Sequence, residues 1–288
     1  MTARLPVVKT PKVYVGGAFI RSESGRTFPV YDNNSQFVAN VPQCTRKDLR
    51  NAVEAAAKAG PAWSARTPYN RGQIVYRLAE MLEARADEMT SVLRQFSPAW
   101  TSAAEREVGE TVDRLVHYAG WADKYEQVLG SANPVAAPFF NFTITEPVGV
   151  IGIIASDAAP LLGLITQIAA AIVSGNTIVA LASESTPYPA ITLGEMLATS
   201  DLPGGVVNIL TGYRKELIPT FATHTHIRGV DAVATGDDAT ALRRGAADSV
   251  KRVKVRQPDI DWSSDRTESV YEIRNFVEFK TVWHPIGA

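Results

Sequence analysis

The sequence reads as an α/β chain built on a doubly wound, mostly parallel sheet, with further β-strands outside it. Three observations lead there. The run Val150-Ile151-Gly152-Ile153-Ile154 is too apolar for an exposed strand, and it leads into residues 158–173, apolar apart from Thr166 and Gln167. A fully apolar short strand followed by a buried helix opens a parallel α/β unit, because a parallel sheet is covered on both faces. The alternation then recurs: strand 176–181, helix 189–199, strand 206–210, strand 230–234, a helix around 239–247, and strand 252–256. Outside this region, residues 139–145 and 276–283 alternate large apolar with small polar residues, as strands with two unlike faces do.

The elements ahead of the parallel region follow from periodicity. Residues 12–41 read as short strands, with 14–20 as a hairpin and Ser22 to Gly25 as a turn. Apolar residues then recur at helical spacing over 46–59 and again over 71–95, where Ile74, Leu78, Met81, Leu82, Met89 and Leu93 share one face and Asn70 is the expected N-cap. A third helix is expected from about Ser102 to Leu129, with Val108, Val112, Leu115, Val116 and Ala119 inward. Residues 257–266 are polar and irregular. The strand at 276–283 has no neighbour in sequence and must pair with a distant segment, since an isolated edge is unstable.

Composition excludes several function classes. The 288 residues are 45% hydrophobic and 20% charged, enough to bury a substantial core. Lys plus Arg number 29 against 30 Asp plus Glu, so no general field favours nucleic acid or an acidic membrane, and the basic run Lys251–Arg256 reads as a strand end. The apolar stretch 158–173 is 16 residues long, short of the roughly 20 a membrane span needs. One cysteine, Cys44, rules out an internal disulfide and a multi-cysteine zinc site, and fits a reducing, cytoplasmic setting. The start, MTARLPVVKT, shows no secretory signal, so the glycosylation match at Asn141-Phe142-Thr143 carries no weight. His224 and His226 lack further ligands nearby, and no metal is expected.

Four motifs stand in order: Glu146-Pro147-Val148-Gly149-Val150-Ile151-Gly152, Ser174-Gly175-Asn176-Thr177-Ile178-Val179, Glu184-Ser185-Thr186-Pro187 and Leu202-Pro203-Gly204-Gly205-Val206-Val207-Asn208. With Tyr14-Val15-Gly16-Gly17, Ala62-Trp63 and His117–Lys124, their order and spacing resemble the aldehyde dehydrogenases over nearly the whole chain. The resemblance implies a dinucleotide-binding-type domain from 1–136 and 148–257 and oligomerisation strands at 137–147 and 275–283. It leaves 258–274 as a connecting segment, with no room for the family's catalytic domain, because a domain needs about 50 residues or more.

The same resemblance implies lost chemistry. The family attacks its aldehyde with a cysteine thiolate and passes hydride to a nicotinamide; the sole thiol here, Cys44, lies far from that position and reads as a packing residue. Arg256 stands where the family has its general-base glutamate, and a fixed cation accepts no proton. Ala158 stands where an asparagine amide would hold the developing oxyanion. Of the two residues that bind the adenosine ribose, Leu181 replaces the lysine while Glu184 is kept; Glu184 also fits a helix-capping role. Gly236 still permits the phosphate-binding turn, yet Asp237 and Asp238 would repel a pyrophosphate.

These readings imply a catalytically inactive subunit that donates its arm, through Phe140, Phe142, Phe276 and Phe279, to a full-length aldehyde dehydrogenase in a hetero-oligomer. The alternatives are a stand-alone NAD-binding protein or oxidoreductase using Glu184, the Gly236 turn and a proton carrier such as Asp157, and a self-assembled homo-oligomeric scaffold or degenerate remnant with no partner.

Overall fold

The computed structural model describes residues 9–96 and 103–287; residues 1–10, read above for a signal, and the expected helix start at Ser102 lie partly or wholly outside them. The chain opens with strands β1 (Val13–Val15) and β2 (Ala18–Ile20), the expected hairpin, and β3 (Thr27–Tyr31) and β4 (Phe37–Pro42), a second one. Helix α1 (Arg46–Ser64) is longer than periodicity suggested. Thr45 and Asp48 close a reciprocal capping box at its start, and the helix carries Pro61 in its last turn.

The stretch 71–95 is two helices rather than one. Helix α2 (Pro68–Glu83) starts earlier than expected: Thr67 is the N-cap, accepting from the Asn70 N–H, and Pro68 takes the first turn where a missing N–H costs nothing. Asn70 is therefore inside the helix. Helix α3 (Ala86–Phe96) follows after a break at Ala84 and Arg85. The third expected helix also divides, into α4 (Ala103–Trp121) and α5 (Tyr125–Leu129). Val116 is exposed, and the inward face instead carries Arg114 and Tyr118.

Strands β5 (Ser131–Asn133) and β6 (Phe139–Pro147) then leave the body, and the parallel region begins. It runs β7 (Val150–Ile154), α6 (Leu162–Ile172), β8 (Thr177–Leu181), α7 (Tyr188–Leu197), β9 (Val207–Leu210), α8 (Arg214–Thr223), β10 (Ile227–Val233), α9 (Gly236–Ala247) and β11 (Arg252–Arg256). Helix α8 was not foreseen: its sequence is polar and holds Pro219. The seven-stranded sheet has the order β11-β10-β7-β8-β9-β1-β2, parallel from β11 to β9, with the hairpin added antiparallel at one edge. The doubly wound α/β reading holds.

Alternate residues of each central strand feed two layers. Ile151, Ile153, Ile178 and Ala180 pack under α2–α4, α6 and α7, while Val150, Ile154, Val179 and Leu181 pack under α1, α8 and α9. A helix wholly buried between sheet and outer helices explains why α6 is apolar all round. Twenty residues join β11 to the next strand and hold one 3₁₀ turn (Asp265–Thr267) and α10 (Val270–Arg274). The last strand, β12 (Val277–Pro285), pairs antiparallel with β6 from Val277↔Pro147 to Pro285↔Phe139, and β5 flanks β6 to complete a three-stranded arm. Among the described residues no helix is long and apolar enough to cross a membrane.

Candidate functional site

In an open parallel sheet, ligands bind beyond the carboxyl ends of the strands. Here that edge is occupied by a polar cluster of the chain's own making. After β7, the Ser156 hydroxyl accepts the N–H groups of Ala158 (3.1 Å) and Ala159 (3.3 Å), forming a turn that leaves the Ala158 methyl exposed. Asp157 Oδ1 accepts from the Ser183 hydroxyl (2.6 Å), the Glu184 N–H (3.1 Å) and the Ser185 hydroxyl (3.2 Å). Its Oδ2 pairs with Arg214 at 2.9 Å, and the same guanidinium donates to the Ala155 carbonyl at 2.7 Å. Glu184 Oε2 accepts the Arg214 backbone N–H at 2.7 Å, which makes it an anion at the N-terminus of α8. Asp157 is thus a structural acceptor tied to four groups.

Helix N-termini are the natural anion sites of such a fold. At α6 the position is held by Glu107 of α4, whose Oε1 accepts the N–H groups of Leu161 and Leu162, each at 3.1 Å. Burial raises its carboxyl above the ordinary value, and those two donors partly offset that. At α8 it is held by Glu184. At α9, Gly236 adopts φ +53° and opens the helix as expected, and Asp237 and Asp238 fill the first turn. All three helix ends carry carboxylates from within the chain. Leu181 is buried in the sheet layer and offers no cation.

The other positions singled out in the sequence are likewise engaged within the chain or buried. Arg256 donates to Asp231 through Nε and Nη2, both at 2.6 Å, and to Glu272 at 2.5 Å; Glu272 also takes Lys254 at 2.5 Å. Burial works against the Arg256 charge, but the Asp231 and Glu272 carboxylates outweigh it and hold the guanidinium above its ordinary value. Cys44 is buried, its N–H bonded to the Thr211 carbonyl at 2.9 Å, and burial pushes its thiol up to about 12. His224 and His226 sit with ring centroids 6.0 Å apart, and among the described residues no cluster of three or more His, Cys, Asp or Glu is placed to hold a metal. The charged side chains named at this edge are thus engaged within the chain.

The arm is the other candidate site. Residues directly opposite in an antiparallel pair share a face, so Phe140, Phe142 and Ile144 of β6 lie beside Val282 of β12. Phe140 and Ile144 are exposed, and the Phe140 and Phe142 rings lie 5.2 Å apart. The other face carries a polar ladder, Asn133 to Asn141 and Thr143, and Thr143 to Thr281, with Phe139 against Trp283 at one end. Phe279 is exposed beneath the Arg274 guanidinium. Phe276 does not belong to this surface. It is 2% exposed, lies in the main core, and its carbonyl accepts from Asn176 and Val148 at the root of the arm. Local alternation places Phe276 with the arm because it cannot tell where a strand leaves the body; the residue belongs to the core instead.

Glu107, Arg114, Asp231 and Trp262 escaped the sequence reading. Asp231 left a signal, an acid inside an apolar strand facing a strand that ends in Arg256. Arg114 interrupts an apolar helix stripe. Their partners lie 25 to 153 residues away and leave no local trace.

The model of the aldehyde dehydrogenase family matches residues 19–257. Retinal dehydrogenase 2 of Homo sapiens is 33% identical over 79% of this chain and 44% of its own, and an aldehyde dehydrogenase of Alternaria alternata is 30% identical over 93% of this chain and 55% of its own. Among solved structures, an NAD+ complex of a Bacillus cereus aldehyde dehydrogenase superimposes with TM-score 0.82 at 27% identity, over 86% of this chain and 51% of that one. The chain spans about half the length of the relatives it matches.

Proposed function

This chain belongs to the aldehyde dehydrogenase family, and we propose that it serves as a catalytically inactive, structural or regulatory subunit that joins a full-length member of the family through its arm. The observation that carries this reading is the contrast between the two candidate sites. The carboxyl edge of the sheet spends its polar groups on itself, while the arm keeps an exposed apolar face around Phe140, Ile144 and Val282. A paired, preformed strand platform offers main-chain hydrogen bonds and apolar contact to another sheet. The twenty residues between Arg256 and Val277 leave no room there for a catalytic domain, so this chain would give an arm without receiving one. The complex would sit in the reducing cytoplasm, where a lone buried thiol is unremarkable.

The stand-alone NAD-binding reading gains no support from Glu184, whose carboxylate caps α8, or from Asp237 and Asp238 at the phosphate turn. Titrating the purified chain with NAD calorimetrically should give no heat of binding at millimolar cofactor. Binding in the micromolar range would replace the subunit reading with that one.

The direct test is the native mass of the protein purified from its own host. A species containing a longer aldehyde dehydrogenase chain is expected, and Phe140→Asp with Phe142→Asp should abolish it. A mass that is only a multiple of 31.1 kDa would overturn the proposal in favour of a homo-oligomer.

A further inference from the structure

The segment between β11 and β12 is bound far more tightly than a linker requires. Trp262 is 3% exposed and packs among Ala159, Leu162, Val233 and Ile260, with the Arg256 guanidinium 5.1 Å from its ring centroid. Gly163 makes room for it: a Cβ there would stand 2.9 Å from Trp262 Cε2. The indole thus fills the space between Ala159, next to the family's oxyanion position, and Arg256, at its general-base position.

Arg114, 2% exposed on α4, grips the backbone of the same segment. It donates to the Trp262 carbonyl (2.9 Å), the Thr267 carbonyl (2.9 Å) and hydroxyl (3.1 Å), and the Thr166 hydroxyl (3.0 Å). Tyr118 adds a bond to the Thr267 carbonyl at 3.1 Å, and Glu268 pairs with His117 at 2.8 Å. Onward along the chain, Glu272 holds Arg256 and Lys254. Arg252 then donates to the Val277 carbonyl (2.6 Å), and Asn176 to the Phe276 carbonyl (2.8 Å), at the point where β12 leaves the body.

We propose that residues 257–276 act as a strap: Trp262, seated beside Gly163, and Arg114, gripping the strap's backbone, fix the pose of the β6–β12 arm although neither residue lies on it. This deepens the proposed function by naming what orients its contact surface. It rests on intramolecular contacts, so its test needs no partner and succeeds or fails separately from the partner-subunit reading.

The test is amide hydrogen exchange in the full chain. Trp262→Gly empties the indole slot. Exchange over residues 277–285 should rise roughly tenfold or more, with β7 and β8 unchanged, as for a sub-global opening. Free indole at millimolar concentration should refill the slot and restore protection of the arm, which a substitution acting only through general destabilisation would not show. Unchanged exchange over 277–285, an equal rise in β7 and β8, or no response to indole would each overturn the strap. Should Trp262→Gly fail to fold by circular dichroism, Arg114→Lys is read the same way: faster exchange confined to 257–285 supports the strap, and an unaltered arm refutes it.

Discussion

Replacing Arg256 should unfold this protein more readily than its position at a strand end suggests. The guanidinium is 3% exposed and forms the hub between Asp231, which is fully buried, and Glu272, which is 9% exposed. Arg256→Met keeps much of the aliphatic stem but leaves two carboxylates with, among the described residues, only Lys254 and Gln167 as remaining side-chain donors. Removing one partner of a buried pair costs about 3–5 kcal/mol, because the other charge stays buried without compensation. In a chain of this size each kcal/mol lowers the melting temperature by about 2–4 °C, so a fall of roughly 6–20 °C is expected by calorimetry. Arg256→Glu, which restores the family's residue type, should be worse, since it sets a third carboxylate in the cluster. Adding Asp231→Asn to Arg256→Met should recover part of the loss. If Arg256→Met melts within about 1 kcal/mol of the parent, the cluster contributes no more than an exposed pair does, and the reasoning fails.

Lys251 gives a pH signature of its own. It is 8% exposed, donates to the carbonyls of Phe221, Ala222 and His224 at the end of α8, and burial lowers its ammonium from 10.5 to about 8. Between about 8 and 10.5 the unfolded chain binds the extra proton, so this group makes stability rise with pH there, and Lys251→Met should flatten that part of a urea-unfolding profile. Phe276→Asp should cost more than about 3 kcal/mol in the same assay, as a charge forced into a core, whereas Phe140→Asp should leave stability within about 0.5 kcal/mol and act on association alone. Cys44 should resist a thiol reagent such as iodoacetamide in the native state and react on unfolding; rapid native labelling would contradict its burial and raised thiol.

The parallel region was legible because its strands are buried on both faces and therefore apolar without interruption, as in Val150–Ile154. Helix boundaries were less so. Thr67-Pro68 outcompetes Asn70 as a start because proline is suited to the first turn, and neither glycine nor proline marks the break at Ala84 and Arg85. Helix α8 hid behind Pro219 and a polar composition, and Val116 lost the inward place that Arg114 and Tyr118 took on meeting the strap. Ala158 and Arg256 stood out in the sequence as departures from the family's residue types. What those residues do instead depended on Asp231, Glu272 and Trp262, brought together only by the folded chain.

The pairing of β6 with β12 also sets a schedule for synthesis. The hydroxyls of Thr143 and Thr281, which meet across the arm, are 138 residues apart in the chain. At roughly 5–20 residues per second on the ribosome, β6 waits about 7–28 s for its neighbour. Through that interval Phe140, Phe142 and Ile144 stand on a strand whose long edge is open, next to the short β5, in a form prone to stick to any other exposed edge. A nascent chain of this design stays vulnerable until β12 has been made, and a ready-made sheet that covers β6 early would protect it then.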